Sequence, residues 1–309
     1  MPRSSSLGAS PSLASATAPV RAASAARARL SVAAPAEVRA PVDPILKWAG
    51  GKTRLLPELI TRLPGRTQWT TGRYFEPFVG GAAVFFHLRP TTSVLSDVNP
   101  ELVHLYTIVR DQVEALIDDL GRHTYERQYY YGVRALDPAS LPPIERASRM
   151  LFLNRTCFNG LWRVNRRGEF NVPFGRYTNP TLCPADRLRA ASRALAGTEL
   201  RHADFAGAVA GARRGDFVYF DPPYVPLTRT ASFTSYAAQD FGMDDQARLA
   251  ALFTDLGRRG VRCMLSNSDT PAVRALYEGH RIDRILAPRA ISRDPDNRHP
   301  VGELIIRTY

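Results

Sequence analysis

With 309 residues, 44% of them hydrophobic, the chain is long enough for one large domain or for a domain that carries an insertion. No run approaches the roughly eighteen apolar residues of a membrane span, and three widely spaced cysteines, Cys157, Cys183 and Cys263, suggest reduced intracellular thiols without a metal framework. The formal charge of +12 is uneven: residues 1–40 hold five Arg and one Glu, residues 144–215 hold thirteen Arg against five acids, and the rest balances. A polyanion would land on the second block, where Phe158, Trp162, Phe170, Phe174 and Tyr177 interleave the arginines.

Residues 1–40, rich in Ala, Ser and Arg, predict a disordered tail. Their composition suits an organellar transit peptide, and equally a GC-rich bacterial chain with an extended or misassigned start; the bacterial reading is preferred. From Pro44 the pattern becomes globular. The spacing predicts a helix over 53–63, a strand at 74–75, a glycine turn at Gly80-Gly81 and a helix over 82–88. A strand over 92–96 ends at Asp97, and helices follow over 101–120 and within 144–153. Residues 161–173 alternate as a β-hairpin with its turn at Arg166-Arg167-Gly168. Then come a helix at 184–195, strands at 199–203 and 216–220, a helix at 244–258, and strands at 261–266 and 303–309. Alternating strands and helices interrupted by a basic insertion predict an α/β domain with a second lobe.

The strand 217–220 runs into Asp221-Pro222-Pro223-Tyr224. Two prolines have fixed φ and no backbone donor, so the side chains on either side are held where the chain leaves the sheet, at the ligand edge of an open α/β fold. Asp221 and the Pro222 carbonyl offer two acceptors to an amino group, and Tyr224 offers a flat face to an aromatic ring. Gly80-Gly81 lets backbone approach a ligand, Asp97 stands where an acid meets ribose hydroxyls, and Asp204-Phe205 follows the 199–203 strand with an acceptor and a ring at the same edge. Lys47 and Lys52 are the only lysines among 41 basic residues, which suggests that a compact ammonium is wanted in their shared motif.

Asp221-Pro222-Pro223-Tyr224 resembles the catalytic motif of amino-group methyltransferases, and four further segments resemble, in order, the DNA adenine methylase (Dam) family. They are Pro44 to Lys52, Phe75-Glu76-Pro77-Phe78-Val79-Gly80-Gly81, Ser96-Asp97-Val98-Asn99, and Asn154-Arg155-Thr156-Cys157-Phe158-Asn159-Gly160. The resemblance covers about residues 44–309, including 230–236 and 291–304, and Ala82 departs from the glycine often found there. It implies a Rossmann-like S-adenosylmethionine-dependent methyltransferase sheet, with an inserted, mainly helical target-recognition lobe that carries the hairpin. The expected catalytic domain is 41–106 with 186–309, and the expected recognition domain is 107–185. Trp48, Lys52, Glu76, Pro77, Phe78, Gly80, Asp97, Asp204, Phe205 and Asp221 would bind S-adenosyl-L-methionine, with Lys52 on its carboxylate. Asp221, Pro222, Pro223 and Tyr224 would be catalytic. Arg163 would read a guanine, Phe158, Asn159 and Leu161 would contact or wedge the target, and Arg155, Arg166, Arg167 and Arg176 would meet phosphates.

The resemblance implies a site-specific adenine methyltransferase on double-stranded DNA, with GATC as the expected site. An RNA or protein-amide methyltransferase on the same fold, and a DNA-binding relative without catalysis, remain as alternatives. The expected protein is monomeric, cytoplasmic and nucleoid-associated, and uses no metal. A cognate restriction endonuclease is a candidate partner.

Overall fold

A computed structural model describes residues 40–65, 71–225, 241–287 and 301–309. All but the last residue of the expected tail, and segments 230–236 and 291–293, lie outside these residues. The described helices and strands belong to one compact unit, Val38–Tyr309.

The helix expected over 53–63 is a 3-10 turn, Lys52–Arg54, followed by α1 (Leu56–Ile60). Pro57, with no N–H to donate, sits in the first turn of α1, the position a proline tolerates. Next come β1 (Tyr74–Glu76), α2 (Ala83–Leu88) and β2 (Ser93–Asp97). The single helix expected over 101–120 is two: α3 (Pro100–Asp111), capped by the Asn99 side chain, and α4 (Val113–Leu120). Gln112, at φ −141° and ψ 42°, breaks the run. Ile108 and Val109 on one side of the break and Leu116 and Leu120 on the other enter the same core.

A helix not foreseen, α5 (Arg127–Ala135), precedes α6 (Pro143–Thr156), which extends beyond the expected 144–153. Buried Arg149 on α6 donates from Nε to the Val133 carbonyl at 3.0 Å and from Nη2 to the Arg134 carbonyl at 2.8 Å. A guanidinium there serves carbonyls of the last turn of α5, where helical acceptors run short of backbone donors. The remaining elements are α7 (Ala185–Leu195), β3 (Glu199–His202), α8 (Phe205–Ala208), β4 (Phe217–Phe220), α9 (Met243–Arg258), β5 (Arg262–Ser268), α10 (Pro271–Leu276), β6 (Arg281–Ala287) and β7 (Val301–Arg307). Strand β6 escaped the sequence reading: among the described strands it pairs only with β7, and Arg281, Asp283 and Arg284 break its apolar alternation.

The seven strands form one sheet in the order β3-β2-β1-β4-β5-β7-β6, parallel from β3 to β5, with β7 antiparallel to both neighbours. Strand residues alternate between two cores. Tyr74, Leu95, Phe217, Tyr219, Met264 and Ile305 face one, shared with α2 to α7. Phe75, Val94, Val218, Phe220, Leu265 and Ile306 face the other, shared with α8 to α10. Burial on both faces is why F-V-Y-F reads as an uninterrupted apolar run.

Candidate active site

Strand β1 pairs with β2 on one side and β4 on the other, both in parallel. The chain order therefore reverses there, and the crevice beyond the carboxyl ends of β1 and β4 is where an open α/β sheet takes its ligand. Glu76 ends β1, Asp97 ends β2, and Asp221 follows β4. Topology brings three acids separated by up to 145 positions to one edge.

Lys52 enters this edge from the opposite end of the sequence. Its Nζ lies 2.6 Å from Asp221 Oδ1, with the two side chains 5% and 19% exposed. That is ion-pair distance, yet the contact is not aligned as a hydrogen bond, and Oδ1 is buried without a donor. The ammonium also donates to the Gly50 carbonyl at 2.6 Å and sits 4.7 Å from the centre of the Tyr224 ring. Here Lys52 faces Asp221 and Tyr224. Burial pushes the Asp221 carboxyl above its ordinary range, against the opposing pull of Lys52. Tyr224 donates its hydroxyl to Glu303 Oε2 at 2.8 Å. Burial raises Glu303 as well, opposed by the Lys52 charge and by that hydrogen bond.

The loop after β1 is tied from several sides. Asp97 accepts from the Gly80 N–H at 3.1 Å and the Asn99 N–H at 2.9 Å, and burial pushes its carboxyl up to about 6 against those two bonds. Tyr106 donates to the Gly80 carbonyl at 2.8 Å. Gly80 is at φ +44°, and a Cβ there would lie 2.8 Å from Trp48 Cδ1, so a side chain would displace Trp48. Ala82, at φ 55°, takes a left-handed conformation that a glycine would adopt without strain. Glu76 is buried and accepts at Oε2 from the Tyr74 hydroxyl at 2.7 Å and the Phe85 N–H at 3.1 Å.

Phe78, beyond Pro77, stacks on Phe205 with centroids 5.7 Å apart and meets Phe241 edge-on at 5.6 Å. Phe205 is buried, with Arg248 4.5 Å above its ring. Exposed Asp204 caps α8 through Gly207 N at 2.8 Å and pairs with Arg248 at 3.2 Å.

Segment 154–177 wraps toward the same edge. Buried Asn154 accepts from Lys47 N at 3.0 Å and donates to the carbonyls of Lys47 at 2.7 Å and Gly160 at 3.2 Å. Asn154 thereby staples the first motif to the fourth. Asn154→Ala would leave three backbone groups without these partners, and should lower unfolding free energy by about 3 kcal/mol in a denaturant titration. A loss of under about 1 kcal/mol would contradict the staple.

The hairpin forms around the Val164↔Phe170 bridge, with Asn165 N bonded to the Glu169 carbonyl at 2.9 Å and Asn171 N to the Arg163 carbonyl at 3.1 Å. Trp162 anchors it, 4.7 Å from Phe170 and stacked at 6.4 Å on Trp48. Arg163, Arg166, Arg167 and Arg176 are exposed, and Arg163 donates to Asn171 Oδ1 at 2.7 Å. Phe158 is 49% exposed beside Asn159, which has φ 55°, and Leu161 is half-buried. Arg155 is placed differently from these: its guanidinium donates to the Thr181 and Ile45 carbonyls. Cys157 is buried with its thiol pushed up to about 12 by desolvation, so it is packed and not nucleophilic.

Sequence reasoning left several site residues without a role: Tyr106, Phe241, Gln246, Asn267, Ser268 and Glu303. The polar run Ser266-Asn267-Ser268-Asp269 at the end of an apolar strand was the available signal, since polar groups buried at a strand end need a reason. Among the described residues, no helix is long and apolar enough to cross a membrane.

Residues 48–291 match the model of the D12 class N6 adenine-specific DNA methyltransferase family. The chain is 39% identical over 274 residues to the Type II methyltransferase M1.LlaDCHI of Lactococcus lactis subsp. cremoris, covering 86% of this chain and 95% of that one. It is likewise 39% identical over 287 residues to the Type II methyltransferase M.MjaIII of Methanocaldococcus jannaschii, covering 87% and 99%. To the DNA adenine methylase of Haemophilus influenzae it is 37% identical over 268 residues, covering 85% and 92%. Matches of this extent span the crevice acids, the Lys52 turn and the hairpin alike, and the seven-stranded sheet is that of a methyltransferase fold. The chain belongs to the D12 class N6 adenine-specific DNA methyltransferases.

Proposed function

We propose that this enzyme takes its methyl group from S-adenosyl-L-methionine and delivers it to adenine N6 in GATC, on a base turned out of the duplex. The observation that carries the reading is the pair of acceptors beyond β4. Asp221 Oδ1 is buried with the Lys52 ammonium 2.6 Å away but not aligned as a hydrogen bond, and the Pro222 carbonyl accepts no hydrogen bond from a described residue, whereas its neighbour Pro223 does. An exocyclic amino group has two N–H donors. Held by Asp221 and Pro222, it directs its nitrogen lone pair out of the ring plane, and Tyr224 covers the base.

The donor set of the crevice fits S-adenosyl-L-methionine. Asp97 and Asp204 are acceptors suited to hydroxyl or amino groups, Lys52 is a cation suited to a carboxylate, and Trp48, Phe78 and Phe205 are apolar, with Glu76, Pro77 and Gly80 framing the loop after β1. When bound, this cofactor supplies a methyl on a sulfonium, activated without metal or redox chemistry. The residues named here would contribute position and charge to the transfer of that methyl group to the amino nitrogen. Alignment and electrostatic preorganisation account for most of the acceleration. Inside a duplex N6 is stacked and paired, so the base must leave the helix.

Exposed Arg163 on the hairpin is suited to a bidentate contact with guanine in the major groove. Mapping methylated adenines in a host genome that lacks GATC methylation tests the site directly, and modification at another motif would refute it. Arg163→Ala should cost about 1–3 kcal/mol at one base pair and relax discrimination there. Arg167→Ala should weaken binding to all sequences alike and flatten the salt dependence. Two of the relatives carry Type II names, which favours pairing with an endonuclease of the same specificity as a second reading.

A further inference from the structure

Tyr224 and the loop that carries it are fastened from behind by residues that no motif of the reaction contains. Gln246 on α9 donates from Nε2 to the Pro223 carbonyl at 2.8 Å, and Asn267 donates from Nδ2 to Gln246 Oε1 at 3.0 Å. Asn267 Oδ1 accepts from Val225 N at 3.4 Å, and Ser268 donates its hydroxyl to the Val225 carbonyl at 2.8 Å. Gln246, Asn267 and Ser268 are 1%, 0% and 3% exposed, so these bonds do not compete with water. In the antiparallel β5–β7 pair Ser268 lies opposite Glu303, the acceptor of the Tyr224 hydroxyl.

We propose that Glu303 is a positioning residue for methyl transfer: backed by the Gln246–Asn267–Ser268 chain, it fixes the tilt of the Tyr224 ring against the extruded adenine. The inference rests on the reading above. A phenyl ring stacks on a base as well as a phenol does, so stacking alone leaves the Tyr224 hydroxyl without a use. Its bond to Glu303 supplies one. With Pro222 and Pro223 stiffening the loop and Gln246 and Ser268 holding the carbonyls of Pro223 and Val225, the ring's remaining freedom is rotation about its own side-chain bonds. The hydroxyl bond removes that freedom. The antiparallel insertion of β7 beside β5 brings an acid 79 positions from Tyr224 to this spot.

A double-mutant cycle tests this. Tyr224→Phe and Glu303→Leu should each lower kcat about tenfold or more on adenine-containing duplex DNA, with the cofactor Kd within roughly twofold of wild type. Combining them should cost no more than about twofold beyond the worse single change, because both break one bond. Glu303→Gln, which keeps an acceptor, should recover activity to within about fivefold of wild type, and it keeps the test available if Glu303→Leu fails to fold. Losses that multiply, or a Tyr224→Phe enzyme as fast as wild type, would overturn the proposal while leaving adenine methylation intact. A wild-type protein that transfers no methyl group to adenine would overturn both.

Discussion

Asp221→Ala is expected to lose methyl transfer by at least about a thousandfold while cofactor and DNA affinities stay within roughly tenfold. On the proposed reading the side chain contributes an acceptor at the reacting nitrogen, and that contact strengthens as the nitrogen gives up its delocalised lone pair. A group used mainly in the transition state appears in kcat and hardly in binding. Asp221→Ala also leaves the Lys52 ammonium, 5% exposed, without its ion-pair partner at 2.6 Å. Asp221→Asn keeps an acceptor and the shape but removes the charge, so it should fall between the two. Single-turnover transfer of a tritiated methyl group, alongside calorimetric binding, separates the effects. Substantial turnover by the alanine variant would sink the mechanism.

Glu76→Gln is expected to change how stability depends on pH. Glu76 is 3% exposed, and burial raises its carboxyl from the ordinary 4.5 to about 8, opposed by the Tyr74 and Phe85 hydrogen bonds. A raised folded-state value means that the folded protein holds a proton that the unfolded chain has already released. The stabilising contribution is therefore complete below about 4.5, falls by about 1.4 kcal/mol per pH unit as pH rises, and is lost above about 8. An uncharged glutamine has no such slope. Unfolding free energies measured from pH 5.5 to 8 should show the variant gaining on wild type by roughly 3 kcal/mol across that window. A difference that does not move with pH would show that Glu76 titrates in the ordinary range.

Much of the fold was legible because the strands follow a rule that sequence states openly. Tyr74-Phe75, Val94-Leu95 and Phe217 to Phe220 are buried on both faces, so they appear as short apolar runs bounded by glycine, proline or acid. Helix boundaries were less legible. The break at Gln112 left no signal in the spacing, since Val109, Leu116 and Leu120 recur at intervals that one uninterrupted helix would also place on a single face. Strand β6 and helix α5 were missed for a related reason, since β6 owes its pairing to β7 and α5 is closed by Arg149, a residue from the next helix.

By itself, the order of motifs placed this chain among the adenine-specific DNA methyltransferases, because each motif is a short local pattern that a sequence displays directly. The sequence also located the basic hairpin, since charge and alternation are local properties. Only the tertiary structure decided the partners of those residues: Lys52 against Asp221 and Tyr224, Asp97 under Gly80, Trp48 between Gly80 and Trp162, and Glu303 on the Tyr224 hydroxyl. These contacts join residues from different strands and loops, and a parallel sheet with one antiparallel insertion fixes which strand ends become neighbours. Local propensity carries no record of that order, because it arises from burying two faces of the sheet at once.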